Sequence, residues 1–477
     1  MSPDPLRRVI LSLSSLVFLL LGQATVVAET PATAERPNIV FLLIDDQRND
    51  TLGCAGHPII KTPVIDRLAA EGVRFRNAFV TTAICAASRA SFLTGLYERT
   101  HGFTFGTPPL SRAHMLNSYP VLMRAAGYRT GFVGKYGVKT QGKIEKDLFD
   151  VYKPHNRNPY FHRQADGSLR HETEVAGDSA IAFLESNPKD KPFCLSVSFN
   201  AVHAEDNDKL DHFPWPKAVN GMYDDVTIPA PRLSDPAIFE NQPEFLKNSM
   251  NRKRYFWRWD TPEKYQKNSR AYYRMISGVD HVTGRIREAL DKLGLAGNTV
   301  IIYMGDNGYY MGDRGFAGKW SHYEQSLRVP LIVYDPRAPR AARGVVRDEV
   351  ALNVDVPATM LDLAGVEHPA TYQGNALSPL LRGERVATWR TEFFCEHLMD
   401  HGDIPMWEGV RGERYVYARY FGQKPVFEFL HDLKSDPDQL QNLAGNPEYK
   451  AVLARMKQRC KSYATTYGAA GQPVGAP

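Results

Sequence analysis

Apolar residues in this chain gather in short unbroken runs. Asn38 leads into Ile-Val-Phe-Leu-Leu-Ile44 with no polar interruption. A strand with one wet face alternates apolar and polar positions, whereas an unbroken run is the pattern of a strand buried on both faces of a parallel sheet. Similar runs stand at Thr130–Val133, Phe193–Phe199, Thr299–Met304 and Pro330–Tyr334. Between them the period becomes helical. Thr62-Pro63 predicts a helix start, with threonine as cap and proline at the first position, and Gly72 its end. Val279, Val282, Ile286, Ala289 and Leu293 share one helical face, with Gly294 as the stop. Strands alternating with helices predict an α/β fold, a large mainly parallel sheet sandwiched by helices.

Two segments depart from this rhythm. Residues 205–267 are rich in proline, tryptophan, tyrosine and charge, and read as an insertion into a main domain spanning 36–385. Residues 386–465 alternate short aromatic strands with turns and finish in a helix from about Pro447 to Tyr463, so a small C-terminal α+β domain is expected. The tail over 466–477 is expected to be flexible. At the other end, Arg7 and Arg8 precede an apolar run from Val9 to Leu21, and Val26-Val27-Ala28 offers a small-residue cleavage site. That is the form of a secretory signal over residues 1–28, so the chain is expected to be exported, periplasmic or secreted, after cleavage near Ala28. The apolar run is short for a membrane span, and no later stretch resembles one.

Composition adds little. The 477 residues are 43% hydrophobic and 23% charged, as in ordinary globular proteins. The net charge of +5 is modest, and no nucleic-acid partner is expected. Five cysteines in an exported chain leave at least one unpaired. Cys85 is the natural odd one, while Cys194 lies in an apolar run and reads as a small buried hydrophobe.

In open parallel sheets, ligands sit beyond the carboxyl ends of the strands. The run at Asn38 ends in Asp45-Asp46, and that at Thr299 in Gly305-Asp306-Asn307-Gly308. The run at Thr130 ends in Gly134-Lys135, and that at Phe193 leads to Asn200 and His203. One acidic pair can simply cap a strand turn. Two pairs at equivalent strand ends suit a hard cation with oxygen ligands, Ca²⁺ or Mg²⁺. Zn²⁺ is disfavoured, because no Cys/His cluster has ligand spacing. Cys85 lies just before a helix expected from about Ser88, whose free amides suit an anion.

Residues 85–95 read Cys-Ala-Ala-Ser-Arg-Ala-Ser-Phe-Leu-Thr-Gly. Cys-x-Ala-Ser-Arg followed by Leu-Thr-Gly resembles the maturation signature of the type I sulfatases, in the alkaline phosphatase-like superfamily. The likeness extends from Pro37 to Leu443: through Pro37–Asp46, Lys61–Phe79, Gly305–Gly308, Lys319 with Glu324 and Arg328-Val-Pro330, Asp355–Gly365, Asp432–Pro437 and Asn442-Leu443. The resemblance implies that a maturation enzyme, of the formylglycine-generating or anaerobic kind, oxidises Cys85 to formylglycine (3-oxoalanine). It further implies that Asp45, Asp46, Asp306 and Asn307 hold Ca²⁺ together with residue 85. Arg89 would steady the formylglycine hydrate, Lys135 and Lys319 the sulfate oxygens, and His203 would lie near the leaving oxygen. One hydroxyl of the hydrate attacks sulfur, and the second expels sulfate and restores the aldehyde. A plain serine or cysteine lacks that second hydroxyl.

Two positions depart from the family pattern. The family often shows Gly-Lys-x-His where this chain reads Gly134-Lys135-Tyr136-Gly137, and His203 is followed by Ala204-Glu205 rather than x-Pro. His101 or Tyr136 are candidates to replace the missing histidine. For the leaving alcohol, Arg252-Lys-Arg-Tyr-Phe-Trp-Arg-Trp259 interleaves basic and aromatic residues as a wall for a sulfated sugar would, with Trp257 in it. A solvated insertion with buried aromatics fits that segment equally well. His397, His401, Trp407 and Arg411 could close the pocket. The substrate expected is a sulfated polysaccharide or oligosaccharide. An aryl sulfate, a phosphoester and a non-catalytic glycan-binding homologue are the alternatives.

Overall fold

The computed structural model describes residues 36–470, so the expected signal segment and residues 471–477 lie outside the described residues. Eight strands form the main sheet: β1 (Asn38–Ile44), β2 (Val73–Phe75), β3 (Arg129–Gly134), β4 (Val151–Pro154), β5 (Phe193–Ser198), β6 (Thr299–Gly305), β7 (Leu331–Tyr334) and β8 (Val345–Arg347). Their order across the sheet is β8-β2-β7-β6-β1-β5-β3-β4. The pairings are parallel except for β7, which runs antiparallel to both β6 and β2. The unbroken apolar run of β1 has its expected cause: Ile39, Phe41 and Leu43 enter the core on one face, Val40, Leu42 and Ile44 the core on the other. Strands β4 and β8 carry no such run, because edge strands are covered on fewer sides; both escape a search for apolar runs.

Helix α1 (Pro63–Glu71) begins where expected, but Thr62 is not its side-chain cap. Its hydroxyl accepts from Gly53 N at 3.0 Å and donates to Asp66 at 3.0 Å. The first turn is capped from a distance instead, with Ile65 N donating to Asp280 Oδ1 at 2.8 Å. Helix α2 (Cys85–Thr94) starts three residues before the expected Ser88, which puts Cys85 at its first position. Helix α3 (Glu172–Glu185) packs beside the long helix α5 (Pro262–Lys292), with α4 (Met250–Arg258) before it. The segment 205–267 is therefore loops and short helices up to α4, and its last residues are the start of α5.

The C-terminal part is a four-stranded antiparallel sheet, β9 (Glu392–His397), β10 (Trp407–Gly412), β11 (Tyr415–Tyr420) and β12 (Phe427–Asp432), with helix α6 (Lys450–Ala470) against it. Helix α6 continues past Tyr463 into the segment expected to be flexible. Tyr467 stacks on Tyr97 with ring centroids 4.1 Å apart, and its carbonyl accepts from Thr100 Oγ1 at 2.9 Å. Phe393, Phe394 and Trp407 belong to the same core as β1 and α2, so this sheet shares its interior with the main one. All five cysteines are free. No described helix is long and apolar enough to cross a membrane.

The remote cap on α1 can be tested. Asp280→Ala removes the acceptor and should destabilise the fold by about 1 kcal/mol, whereas Asp280→Asn keeps an oxygen there and should retain most of it. Chemical denaturation of the three proteins measures the difference.

Candidate active site

The central strands end level with one another. Leu43 is paired with Met304 on one side and Ser198 on the other, and Ser198 with Gly134. The residues that follow therefore leave the sheet together at its carboxyl edge. Asp45, Asp46, Asp306 and Asn307 are all at most 1% exposed. Asp46 N donates to Asp306 Oδ1 at 3.2 Å, and Asn307 Nδ2 to Asp46 Oδ1 at 2.7 Å. Asp46 adopts φ +58°, a left-handed conformation that aspartate tolerates better than most residues.

Three cations offset three carboxylates. Lys135 Nζ pairs with Asp45 Oδ2 and Lys319 Nζ with Asp46 Oδ1. Arg89 Nε donates to Asp306 Oδ2 at 2.8 Å, and Arg89 also reaches the Lys135 carbonyl at 2.5 Å and the Ser198 hydroxyl. Burial alone would raise the Asp45 carboxyl, but Lys135, Arg89 and Lys319 hold it well below the usual range. Asp306 goes the other way, pushed up by burial and then by Asp45. Burial would lower the Lys319 ammonium, yet Asp46 keeps it raised. Arg89 lies one helical turn beyond Cys85, on the same face of α2.

Asp45 Oδ1, Asp46 Oδ2 and Asn307 Oδ1 are buried and have no hydrogen-bond partner. Orphaned buried oxygens are costly unless something positive binds them. Their all-oxygen chemistry fits a hard divalent cation. Asp45, Asp46 and His203 hold ligand atoms within 4.8 Å of one another, so His203 joins the cluster the sequence outlined. Its Nε2 stands 3.6 Å from Asp46 Oδ2, and its Nδ1 lies 2.7 Å from the Ala204 carbonyl. Burial and then Arg157, Lys319 and Lys135 hold the imidazole well below its usual value.

These groups open into a cavity of about 290 Å³ that Cys85, Lys135, His203 and Lys319 line together. A larger depression of about 1140 Å³ lies at Arg67, Glu71, Arg287 and Tyr334, where Glu71 pairs with both arginines, but Cys85 and the strand-end carboxylates lie outside it. Arg157, Arg254 and Trp320 also line the smaller cavity, with Phe105, Met250, Met399, His401 and Ile404. Arg157 escaped the sequence reading because it follows β4, an edge strand with no apolar run.

Several expected substrate residues lie elsewhere. His101 is buried behind α2, 3.2 Å from Ser91 Oγ, and accepts from Phe103 N. Tyr136 turns into an aromatic cluster, edge-on to Phe132 at 5.1 Å and Tyr152 at 5.5 Å. Trp257 is 40% exposed and does not line the cavity; Arg254, from the same basic and aromatic segment, does. His397 is fully buried within β9. Arg411 donates to Glu324 at 3.0 Å, away from the cavity. Trp407 acts indirectly, its indole N–H donating to the Trp320 carbonyl at 2.8 Å. Of the four C-terminal candidates only His401 faces the cavity.

The sulfatase family profile matches residues 37–366. The chain belongs to the sulfatase family. A second profile, N-sulphoglucosamine sulphohydrolase C-terminal, matches residues 312–466 of this sulfatase. An N-acetylglucosamine-6-O-sulfatase of Bacteroides thetaiotaomicron is 28% identical over 90% of the chain and 87% of its own length. An arylsulfatase of Clostridium perfringens is 29% identical over 89% of the chain and 93% of its own. A solved structure of a protein in complex with its substrate D-glucosamine-2-N,6-O-disulfate superposes with TM-score 0.78 at 25% identity, covering 91% of this chain and 99% of that one. The sulfatase is thus a sulfuric ester hydrolase of alkaline phosphatase-like fold.

The departure at Gly137 has a geometric reason. Its φ is +73°, and a Cβ there would stand 3.1 Å from Arg89 Cδ. Restoring the family's side chain by Gly137→His should therefore displace Arg89 from Asp306 and lower kcat rather than raise it. Steady-state kinetics on an aryl sulfate measures this, and a gain in kcat would contradict the geometry.

Proposed function

We propose that this sulfatase removes sulfate from a sulfated carbohydrate, using a formylglycine made from Cys85 and one Ca²⁺ held by Asp45, Asp46, Asp306 and Asn307. The observation that carries the reading is the set of buried oxygens without partners beside a cation-lined cavity that Cys85 shares. The N-terminal targeting segment supports action after export. The sugar-sulfate names of the relative from Bacteroides and of the ligand in the solved complex support a carbohydrate leaving group. So does a cavity lined both by ammonium and guanidinium groups and by Met250, Trp320, Met399 and Ile404.

When bound, Ca²⁺ supplies positive charge toward the sulfate oxygens and favours the deprotonated form of an oxygen near it. The hydrate of the formylglycine would supply a second hydroxyl, the group needed for release of sulfate. The chain's own residues do the rest. Lys135 and Lys319 give their ammonium donors to the sulfate oxygens, offsetting the repulsion an anionic ester meets from an attacking oxyanion. Arg89, held by Asp306, Ser198 and the Lys135 carbonyl, keeps a fixed positive charge beside residue 85. His203, steered by the Ala204 carbonyl, lines the cavity and would stand near the leaving oxygen.

Two experiments test this reading. Intact-mass measurement of matured protein should show a loss of about 18 Da, the signature of cysteine converted to formylglycine. Cys85→Ser should abolish sulfate ester turnover while calorimetric Ca²⁺ binding stays nearly unchanged. Normal turnover by the serine variant, with no mass loss in wild type, would sink the mechanism.

His203→Ala separates two roles. Help with a departing alcohol is worth on the order of a hundredfold. Phenolate leaves readily, so the variant should lose at least about tenfold more kcat on a sugar sulfate than on 4-methylumbelliferyl sulfate. Equal losses would mean that His203 serves the cation or the sulfate group instead.

A further inference from the structure

Beside the balanced catalytic charges lies an unbalanced cluster. Asp206 is approached by three guanidinium groups: Arg258 contacts Oδ1, Arg254 Nη2 lies 3.1 Å from Oδ2, and Arg157 Nη2 lies 3.8 Å from it. With Glu205 also felt by Arg157, three guanidinium cations face two carboxylates and leave one formal positive charge. The other carboxylate nearby, Glu205, accepts from Tyr160 N at 3.4 Å. These arginines are not surface side chains. Relative exposure is 16% for the Arg157 side chain, 14% for Arg254 and 0% for Arg258.

Nor are their donors used up. Arg254 Nε, and Arg258 Nε and Nη1, are buried with no partner. Arg157 Nε is held by the Ala204 carbonyl at 3.2 Å, and the Arg254 guanidinium lies over the Trp320 ring at 4.9 Å. Both groups are thus fixed, and both line the cavity that contains Cys85, Lys135 and Lys319. A surplus of partly buried positive charge costs stability unless an anion compensates it. The catalytic cations already have their carboxylates, so the surplus belongs to a second position.

We infer that Arg157 and Arg254 form a subsite for a second oxyanion on the substrate, so that the preferred substrate is a saccharide carrying another anionic group near the sulfate that is cleaved. The inference rests on the sulfatase reading and deepens it by naming the substrate class. Guanidinium forks match the planar edge of a sulfate-type group or a carboxylate. Asp206, whose Oδ1 contacts Arg258, holds both forks near its Oδ2 and so keeps them together at one edge of the cavity. Trp320 braces one of them from the side.

The test is calorimetric binding to the Ca²⁺-loaded Cys85→Ser protein, which does not turn substrate over. The ligands are glucosamine 6-sulfate, D-glucosamine-2-N,6-O-disulfate, and a disaccharide of 6-sulfated glucosamine with glucuronate. At least one dianionic sugar should bind about tenfold more tightly than glucosamine 6-sulfate, as for one charge-assisted contact. Whichever does so identifies the second group as sulfate-type or carboxylate. Arg157→Gln and Arg254→Gln, each added to that protein, should bring the ratio to within about twofold of unity. Equal binding of all three sugars before any arginine is changed overturns the subsite, as does a preference that survives both substitutions. Turnover of 4-methylumbelliferyl sulfate by matured wild type is measured in parallel. Its absence would fail the sulfatase reading, while turnover without a dianion preference would fail only the subsite.

Discussion

Three carboxylates held out of water at one sheet edge repel one another, and much of the surrounding structure exists to offset that repulsion. Asp45, Asp46 and Asp306 are brought together by the parallel register of β1 and β6, which backbone pairing fixes regardless of the side chains beyond it. Each then receives its own cation from a different element. Lys135 comes from the end of β3, Arg89 from α2, and Lys319 from the loop before β7. Removing one cation would leave a buried charge unpaired, which is far costlier than losing a surface ion pair.

The outer elements act through these cations. Lys319 sits in a loop tied down from two sides. Asn251 Nδ2 at the start of α4 donates to its carbonyl at 2.6 Å, and Trp407 of β10 holds the next carbonyl, that of Trp320. Gly318 precedes it at φ +111°, and a Cβ there would meet Asn251 Oδ1 at 2.8 Å. The insertion and the C-terminal sheet therefore do more than wall the cavity. They set where the ammonium that pairs with Asp46 stands. Asp355 and Asp432, landmarks of the family likeness, lie outside this arrangement. They receive Arg390 and Arg414 and hold turns of the backbone.

The exchange of a family histidine for Gly137 shows how tightly the interior is specified. A Cβ at 137 would stand 3.1 Å from Arg89 Cδ, so a side chain there presses on the guanidinium that Asp306 holds. Arg157 adds a cation to the same cavity from a neighbouring strand end. The balance of charge in the cavity is thus moved toward its substrate side, where the second oxyanion is inferred.

Much of this was legible in the sequence, and for identifiable reasons. Apolar runs report strands buried on both faces, so β1, β3, β5 and β6 announced themselves, together with the charged residues just beyond their ends. Cys85 and Arg89 were visible as a local motif, because one helical turn fixes both. Edge strands leave no such trace, so β4 and with it Arg157 went unseen. The distant cap on α1 was equally hidden, since Asp280 lies far along the chain from the amide it receives. Candidates chosen by residue type alone fared worst: His101, Tyr136, His397 and Arg411 have the right chemistry but are spent on packing or ion pairs inside the fold. Sequence determines which groups end at a sheet edge, because local periodicity encodes strands and their ends. Which face of a helix or loop meets the cavity depends on long-range packing, and only the tertiary structure decides that.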